Sequence, residues 1–425
     1  MAAADRTHLT SVDVRDHNLG LVLARLAHSG PAARTAIALD TGLARSAVTG
    51  LVAALLEAGL VRAAAEHAPP TVGRPLELLE LDGSRIGMVA AQVEVDEITV
   101  LAHDLAGRPL WQRTRRVHTP IGDAPSIAAL LADAVSSCTA ALTEQHIEPF
   151  SLDVVVPGLV SKDGSKVLYA LDLGWTDEPF LAQVIERAPQ FRGGASMHGD
   201  AQLAAYAEYM TLRRDPGLAD LQHMLYVRSR TGYGAGVVTD GRLFRGGHGT
   251  ALPPGHLIVQ RDGELCDCGR RGCLVTLADP EILVARAGLG AVRESEGLHA
   301  AMDALVAHAR AGEPAAVRTV TEAIQWIRLM LANLILSYEP EVVVLGGMLG
   351  DLVDDIAQMD DALRGFVGLG DVQGRDAFLP ARLGDLAAAT GAVLLRQQEL
   401  LAAPVRTGLL PTGPGIQDLP GATPL

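Results

Sequence analysis

The sequence predicts an α/β protein: an N-terminal winged helix-turn-helix, then two α/β subdomains with a cleft between them. Three observations carry this. Residues 1–84 hold three stretches with helical apolar spacing, then a hairpin broken by Pro and Gly. From Ile86 onward, strand-like alternation mixes with helices in two successive halves. Three of the four cysteines crowd into "GELCDCGRRGCLVT" at 263–276, which marks a metal-pinned loop in the second half.

A length of 425 residues suggests roughly three domains. The expected boundaries are 1–84 for the DNA-binding module, 85–200 for the first α/β subdomain and 201–403 for the second. Residues 404–425, "PVRTGLLPTGPGIQDLPGATPL", are rich in Pro and Gly and expected to be a disordered tail. Apolar residues make up 48%, which excludes a disordered chain. No run approaches about 18 uninterrupted apolar residues, so no membrane span is expected. "MAAADRTHLTSVDVRDHN" has no apolar core of a secretory signal, so the expected location is the cytoplasm. Four cysteines cannot make a disulfide framework for so long a chain. The net charge of −15 excludes a general polycation but leaves room for a local nucleic-acid face.

The elements follow in order. "RDHNLGLVLARLAHS" at 15–29 predicts a first helix, broken by Gly30 and Pro31. "AARTAIALDTG" predicts a second helix ended by Gly42. "LARSAVTGLVAALLEAGLV" predicts a third, with Gly59 at its end. The hairpin follows around Pro69, Pro70, Gly73 and Pro75. In a winged helix-turn-helix the third helix enters the major groove, which puts Arg45, Ser46 and Thr49 within reach of base edges. Arg34 on the second helix and Arg74 at the wing tip are candidate phosphate or minor-groove contacts. Against this, residues 1–84 hold seven Arg and nine Asp plus Glu, so the module is not basic. Glu77, Glu80 and Asp82 follow the wing and are expected to face away from DNA. The alternative is a small helical unit that docks a partner protein.

"IGMVAAQVEVDEITVLAHDLAGRPL" predicts paired strands and "IAALLADAVSSCTAALTEQ" a helix, with Cys138 as a small buried hydrophobe. "LDVVVPGLV" is a strand entering a loop. "HMLYVRSRTGYGAGVVTDGRLFRG" gives two strands around a glycine-rich turn. "EPEVVVLGGML" is a buried strand ending in a glycine pair, and "AATGAVLLRQQEL" a helix.

In the cysteine loop the spacing is His-x9-Cys-x-Cys-x4-Cys: His256, Cys266, Cys268 and Cys273. Three thiolates and one imidazole complete a closed tetrahedral zinc shell, with no position left for water. Gly269 and Gly272 permit the left-handed turns that aim the sulfurs inward. Arg270 and Arg271 would offset the negative charge. The alternative is a set of buried structural thiols or a redox loop.

Taken together, these stretches resemble the ROK family, and within it the repressor branch. That branch fuses a winged helix-turn-helix to a sugar-kinase-like body of the actin/hexokinase type. The resemblance runs from about Val14 to Leu400. It rests on the helical module, "GRPLELLELD", "VPGLV", "LGW", "GDAQLAAYAE", "TGYGAGVVTDGRLFRG", "EPEVVVLGGML", "TGAVLL" and above all "GHLIV" followed by "CDCGRRGCL". It implies a structural zinc site beside a sugar pocket.

The resemblance also lets the kinase machinery be checked. At the family's first phosphate loop this chain reads "QVEVD", with Gln92 for the aspartate, Glu94 for a glycine and Asp96 for the threonine. Two carboxylates would then sit where a triphosphate must. The second loop, Thr231, Gly232, Gly234 and Gly236, is kept, as are Gly346 and Gly347. Asp200 matches the catalytic base, but its Asn partner is Gly199. Positions that contact sugar in the family are here Asp172, Pro253 and Val275. Residues still able to line the cleft are Asp172, Trp175, His198, Asp200 and His256.

The expected function is therefore transcriptional regulation, as a repressor of carbohydrate-related genes, with no enzymatic activity. Expected partners are double-stranded operator DNA and a sugar or sugar-derived effector, with the protein a homodimer or homotetramer and no membrane involved. A sugar kinase, a ligand-independent regulator and a protein-docking scaffold are the other classes.

Overall fold

A computed structural model describes residues 10–64, 77–117, 119–249, 253–358 and 377–411. The N-terminal module is built from α1 (Ser11–Ser29), α2 (Arg34–Thr41) and α3 (Arg45–Glu57), followed by the strands β1 (Val61–Ala63) and β2 (Leu79–Leu81). Helix α1 begins four residues before the expected start. A capping box explains this: Thr10 Oγ1 accepts from Asp13 N and the Asp13 carboxylate accepts from Thr10 N. Gly42, in the left-handed conformation, ends α2, and α3 leaves at 116°, the geometry of a helix-turn-helix. Strands β1 and β2 pair antiparallel, and Ala32 adds a bridge to Leu79.

The first body sheet uses β3 (Ile86–Val93), β4 (Glu97–Asp104), β5 (Pro109–Arg116), β6 (Glu148–Val156) and β10 (Ala195–Gly199). Its order is β10-β6-β3-β4-β5. Helix α4 (Ala124–Glu144) lies between β5 and β6 in the chain. By length and composition α4 would cross a membrane. Here its apolar face, Ile127 to Leu142, is buried in the first lobe's core. Cys138 sits on that face, and burial pushes its thiol up to about 12. The small strands β7 (Leu159–Val160), β8 (Val167–Ala170) and β9 (Trp175–Glu178) form a side sheet, followed by α5 (Phe180–Ile185).

The chain crosses to the second lobe through α6 (Asp200–Leu212). There β11 (Met224–Ser229), β12 (Tyr233–Thr239), β13 (Arg242–Leu243), β14 (Val342–Gly347) and β15 (Phe378–Pro380) form a sheet ordered β13-β12-β11-β14-β15. Both sheets share one plan: an antiparallel triple whose first strand continues into two parallel strands. Helices α7 (Val275–Ala278), α8 (Pro280–Arg286), α9 (Gly290–Glu296), α10 (Leu298–Arg310), α11 (Pro314–Tyr338), α12 (Met348–Asp351) and α13 (Val353–Ala357) complete the second lobe.

The last helix, α14 (Ala387–Ala402), does not stay with the second lobe as the boundary at residue 403 implied. It returns to pack on β3, β4 and β6, on α6, and on α1 of the N-terminal module. One continuous core therefore joins Leu19, Leu23 and Leu55 of that module to Met88, Leu203, Leu400 and Leu401 of the body. Each fully buried aliphatic side chain stabilises by about 1.5–3 kcal/mol. Residues 404–411 also depart from the expected disordered tail. Val405, Leu409 and Leu410 are buried, and the buried Asp16 carboxylate accepts N–H bonds from Val405 (2.7 Å) and Arg406 (3.2 Å). Residues 412–425 lie outside the described residues.

Candidate functional site: an interlobe cleft, a thiol-imidazole cluster and a helix-turn-helix face

The donor atoms of His256, Cys266, Cys268 and Cys273 all lie within 4.8 Å of one another. His256 Nδ1 is 3.5 Å from Cys266 Sγ, and Cys268 Sγ is 3.6 Å from Cys273 Sγ. Ligands about 2.3 Å from a tetrahedral zinc stand about 3.8 Å apart, so the cluster fits that ion. The loop needs glycine at 272: a Cβ there would stand 1.7 Å from the Gln260 carbonyl oxygen, and φ is +73°. Burial alone would raise the Cys268 thiol, but hydrogen bonds from Arg270 bring it down to about 7, closer to the thiolate a metal requires. Arg271 instead reaches the Gly263 carbonyl.

Beside this cluster a cavity of about 590 Å³ opens between the lobes. It lies outside the carboxyl end of β10, where open α/β sheets place ligands. Asp172, Asp200 and His256 line it, as expected. Asp172 accepts a hydrogen bond from Thr231 Oγ1 (2.7 Å). Asp279, which caps α8, also faces it, and burial beside Asp172 raises its carboxyl to about 7. Pro253 and Val275 give the same cavity an apolar stretch.

Two of the expected lining residues are elsewhere. Trp175 is only 2% exposed and packs on Phe180 in the first lobe's core, ring centroids 4.6 Å apart. Its bulk is worth more there than at a wet rim. His198 belongs to a separate cavity of about 220 Å³. Strand β10 alternates, so His198 shares its face with Ser196, and both meet Asp153 (3.2 and 2.6 Å). Arg396 of α14 closes that cluster with two hydrogen bonds to Asp153, at 2.8 and 3.0 Å.

Charged side chains in the cavity wall are paired with one another. Asp200, 7% exposed on the first residue of α6, is ion-paired with Arg228, 8% exposed on β11. Burial pushes the Asp200 carboxyl up, Arg228 pulls it back, and the guanidinium stays firmly protonated. Glu94, 2% exposed, lies 3.6 Å from Arg228 and 3.8 Å from Arg230. Arg230 then reaches Asp385 (2.6 Å). Gln92 of β3 accepts from Ala389 N of α14 (3.1 Å). The expected pair of repelling carboxylates is thus corrected. Asp96 is exposed on the β3–β4 turn, and the remaining Glu94 charge is matched by two arginines. Sequence reasoning missed those arginines, although "VRSRT" sets them two residues apart, one at the end of β11 and one just beyond it. Gly234 and Gly236 have a packing reason: a Cβ at either would press Ala201 or Ala205 of α6, at 2.7 and 2.5 Å.

On the module, Arg45, Ser46 and Thr49 are exposed at the N-terminal end of α3. The Thr49 hydroxyl donates to the Arg45 carbonyl (2.9 Å), so its hydrogen is used within the helix. Arg34 is not free: its Nη1 donates to Glu77 Oε2 (2.6 Å). Glu80 pairs with Arg62 (2.8 Å) and does not merely face away. Arg74 lies outside the described residues.

Comparison with known proteins matches residues 91–399 to the model of the ROK family. The N-acetylmannosamine kinase of Citrobacter koseri is 36% identical over 162 residues, 38% of this chain and about half (51%) of the kinase's length. The xylose repressor of Bacillus subtilis is 26% identical over 290 residues, 67% of this chain and 70% of the repressor. Among solved structures, a ROK family transcriptional regulator homologous to the E. coli MLC protein superposes with a TM-score of 0.73 at 21% identity, over 93% of this chain and 98% of that one.

Proposed function

This chain belongs to the ROK family, and on that premise we propose that it is a transcriptional repressor of carbohydrate-related genes. It binds double-stranded operator DNA through α3, and its body is a non-catalytic frame that responds to a sugar or sugar-derived effector. The observation that carries the reading is the exposed polar face of α3, Arg45, Ser46 and Thr49, on a helix-turn-helix whose core runs on into the body. A catalytic base must be free to take a hydroxyl proton. Asp200 is held by Arg228, whose guanidinium Glu94 also faces.

The effector cavity in this reading uses Asp172, Asp200 and His256, with Asp279 added and Trp175 and His198 withdrawn. His256, Cys266, Cys268 and Cys273 would hold a structural zinc. With four protein ligands it supplies rigidity to the cavity wall and no open coordination site. Helix α14 gives the effector a route to DNA. Its Ala389 N–H donates to Gln92 of β3, its Arg396 clamps Asp153, and its end packs against α1. An effector acts only by differing in affinity between DNA-competent and DNA-incompetent arrangements of the assembly. A homodimer or homotetramer would present two α3 helices to half-sites one helical turn apart, and the reading places the protein in the cytoplasm.

The test is footprinting on the DNA upstream of the protein's own coding sequence and of neighbouring carbohydrate genes. A protected pseudo-palindrome that loses protection with one member of a sugar panel is the expected result. Absence of preference for any duplex would sink the reading.

A further inference from the structure

We propose that Glu77 cancels Arg34 as a DNA contact, and so holds down the affinity of the module for phosphate; this rests on the operator-binding reading above. An isolated bridge brings the pair together: Ala32 and Leu79 exchange both backbone hydrogen bonds (2.9 Å each), which sets the start of α2 beside the segment leading into β2. The side chains meet at 2.6 Å, with Arg34 35% and Glu77 55% exposed.

Arg34 opens α2, the helix that crosses the DNA backbone when α3 is in the groove. To reach a phosphate it must leave Glu77. The exchange replaces one ion pair by another and strands a carboxylate beside the polyanion, so the net gain is small. The same device recurs across the module: Arg25 pairs with Asp40 (2.5 Å) and Arg62 with Glu80 (2.8 Å). Arg45 forms no ion pair among the described residues. Nine acids against seven arginines in residues 1–84 complete the picture. Binding is therefore carried by base readout from α3, with few counterions released. Random duplex DNA, which is held almost wholly by charge, is left weakly bound.

The experiment measures affinity for a selected operator and for a random duplex, by fluorescence anisotropy, from low to moderate salt. It uses the full chain, E77Q and the charge-neutral double variant R34Q/E77Q, each checked for an unchanged thermal melt. E77Q frees one cation. Its affinity for both duplexes is expected to rise several-fold at low salt, with the slope of log affinity against log salt steeper by about one. R34Q/E77Q is expected to match the parent in slope. An E77Q slope equal to the parent's overturns the proposal. So does a double variant whose slope is shallower by about one, since Arg34 would then have been gripping phosphate all along. A parent that prefers no duplex sinks the operator reading itself, and this inference with it.

Discussion

Asp200 and Arg228, 28 residues apart in the chain, form a buried ion pair across the junction of α6 and β11, and Glu94 faces the same guanidinium at 3.6 Å. Removing one member of such a set is costly because the other charges stay buried without compensation. Arg228→Ala is therefore expected to destabilise by about 3–5 kcal/mol, read from the midpoint of urea unfolding. The parent is expected to show no ATP turnover above background with any sugar in a coupled assay. Turnover that disappears in Asp200→Asn would show that the pair opens and that the carboxylate still works as a base.

How much of this was legible in the sequence divides along the range of the contacts. The three helices of the module and the cysteine cluster rest on local spacing, and the stretch from His256 to Cys273 sufficed to find the four donors. What failed was long-range. Nothing local in "AATGAVLLRQQEL" says that its helix returns to β3, or that Arg396 meets Asp153, 243 residues away. Nor does the Pro/Gly-rich composition after residue 403 reveal that Val405 N–H would find Asp16. His198 was misplaced by its closeness to Asp200 in the chain. The strand carries its side chain to the face it shares with Ser196, while Asp200 begins the next helix.

Removing one thiolate from the cluster should release the metal. Parent protein is expected to carry one zinc per chain by elemental analysis, and Cys268→Ser none. The melting temperature of the variant should fall by roughly 5–10 °C, a loss of a few kcal/mol in a protein of this size. A chelator should move the parent toward the variant. An unchanged metal content would assign the thiols to another purpose.

The α1–α14 contact admits no side chain at position 20. A Cβ on Gly20 would stand 2.3 Å from the Ala402 carbonyl oxygen, which is backbone and cannot swing away. Gly20→Ala is expected to cost about 1–3 kcal/mol through forced separation of the helices. It should also weaken the effect of effector on DNA affinity, since α14 would no longer press on α1. Intact coupling in a destabilised variant would move the relay elsewhere.

Asp279 gives the cavity a pH signature. Burial and the neighbouring Asp172 and Glu281 raise its carboxyl to about 7, against 3.8 ordinarily. Between those values the folded state holds a proton that the unfolded state has released. Stability contributed by this group is therefore full below about pH 4 and falls as pH rises toward 7. Asp279→Asn can still cap α8. It is expected to be more stable than the parent at pH 8, by at most about 4 kcal/mol, and to lose that advantage at pH 4. Equal pH profiles from urea titrations would show that the carboxyl is better hydrated than its surroundings imply.

The reading helix offers one strong base contact. Arg45 begins α3, is exposed, and is the side chain there with the paired donors that recognise the O6 and N7 of guanine. Ser46 and Thr49 accept or donate to either base type, and the Thr49 hydroxyl is already bonded to its own helix. One position in each half-site should therefore depend on Arg45 far more than the rest. Arg45→Ala is expected to lose about 1–3 kcal/mol at that position and become indifferent to the base there, while binding to random duplex changes little. Selection from a randomised duplex pool, run in parallel on parent and variant, reads this directly. If both recover the same half-site with the same stringency, α3 does not sit in the groove by its N-terminal end.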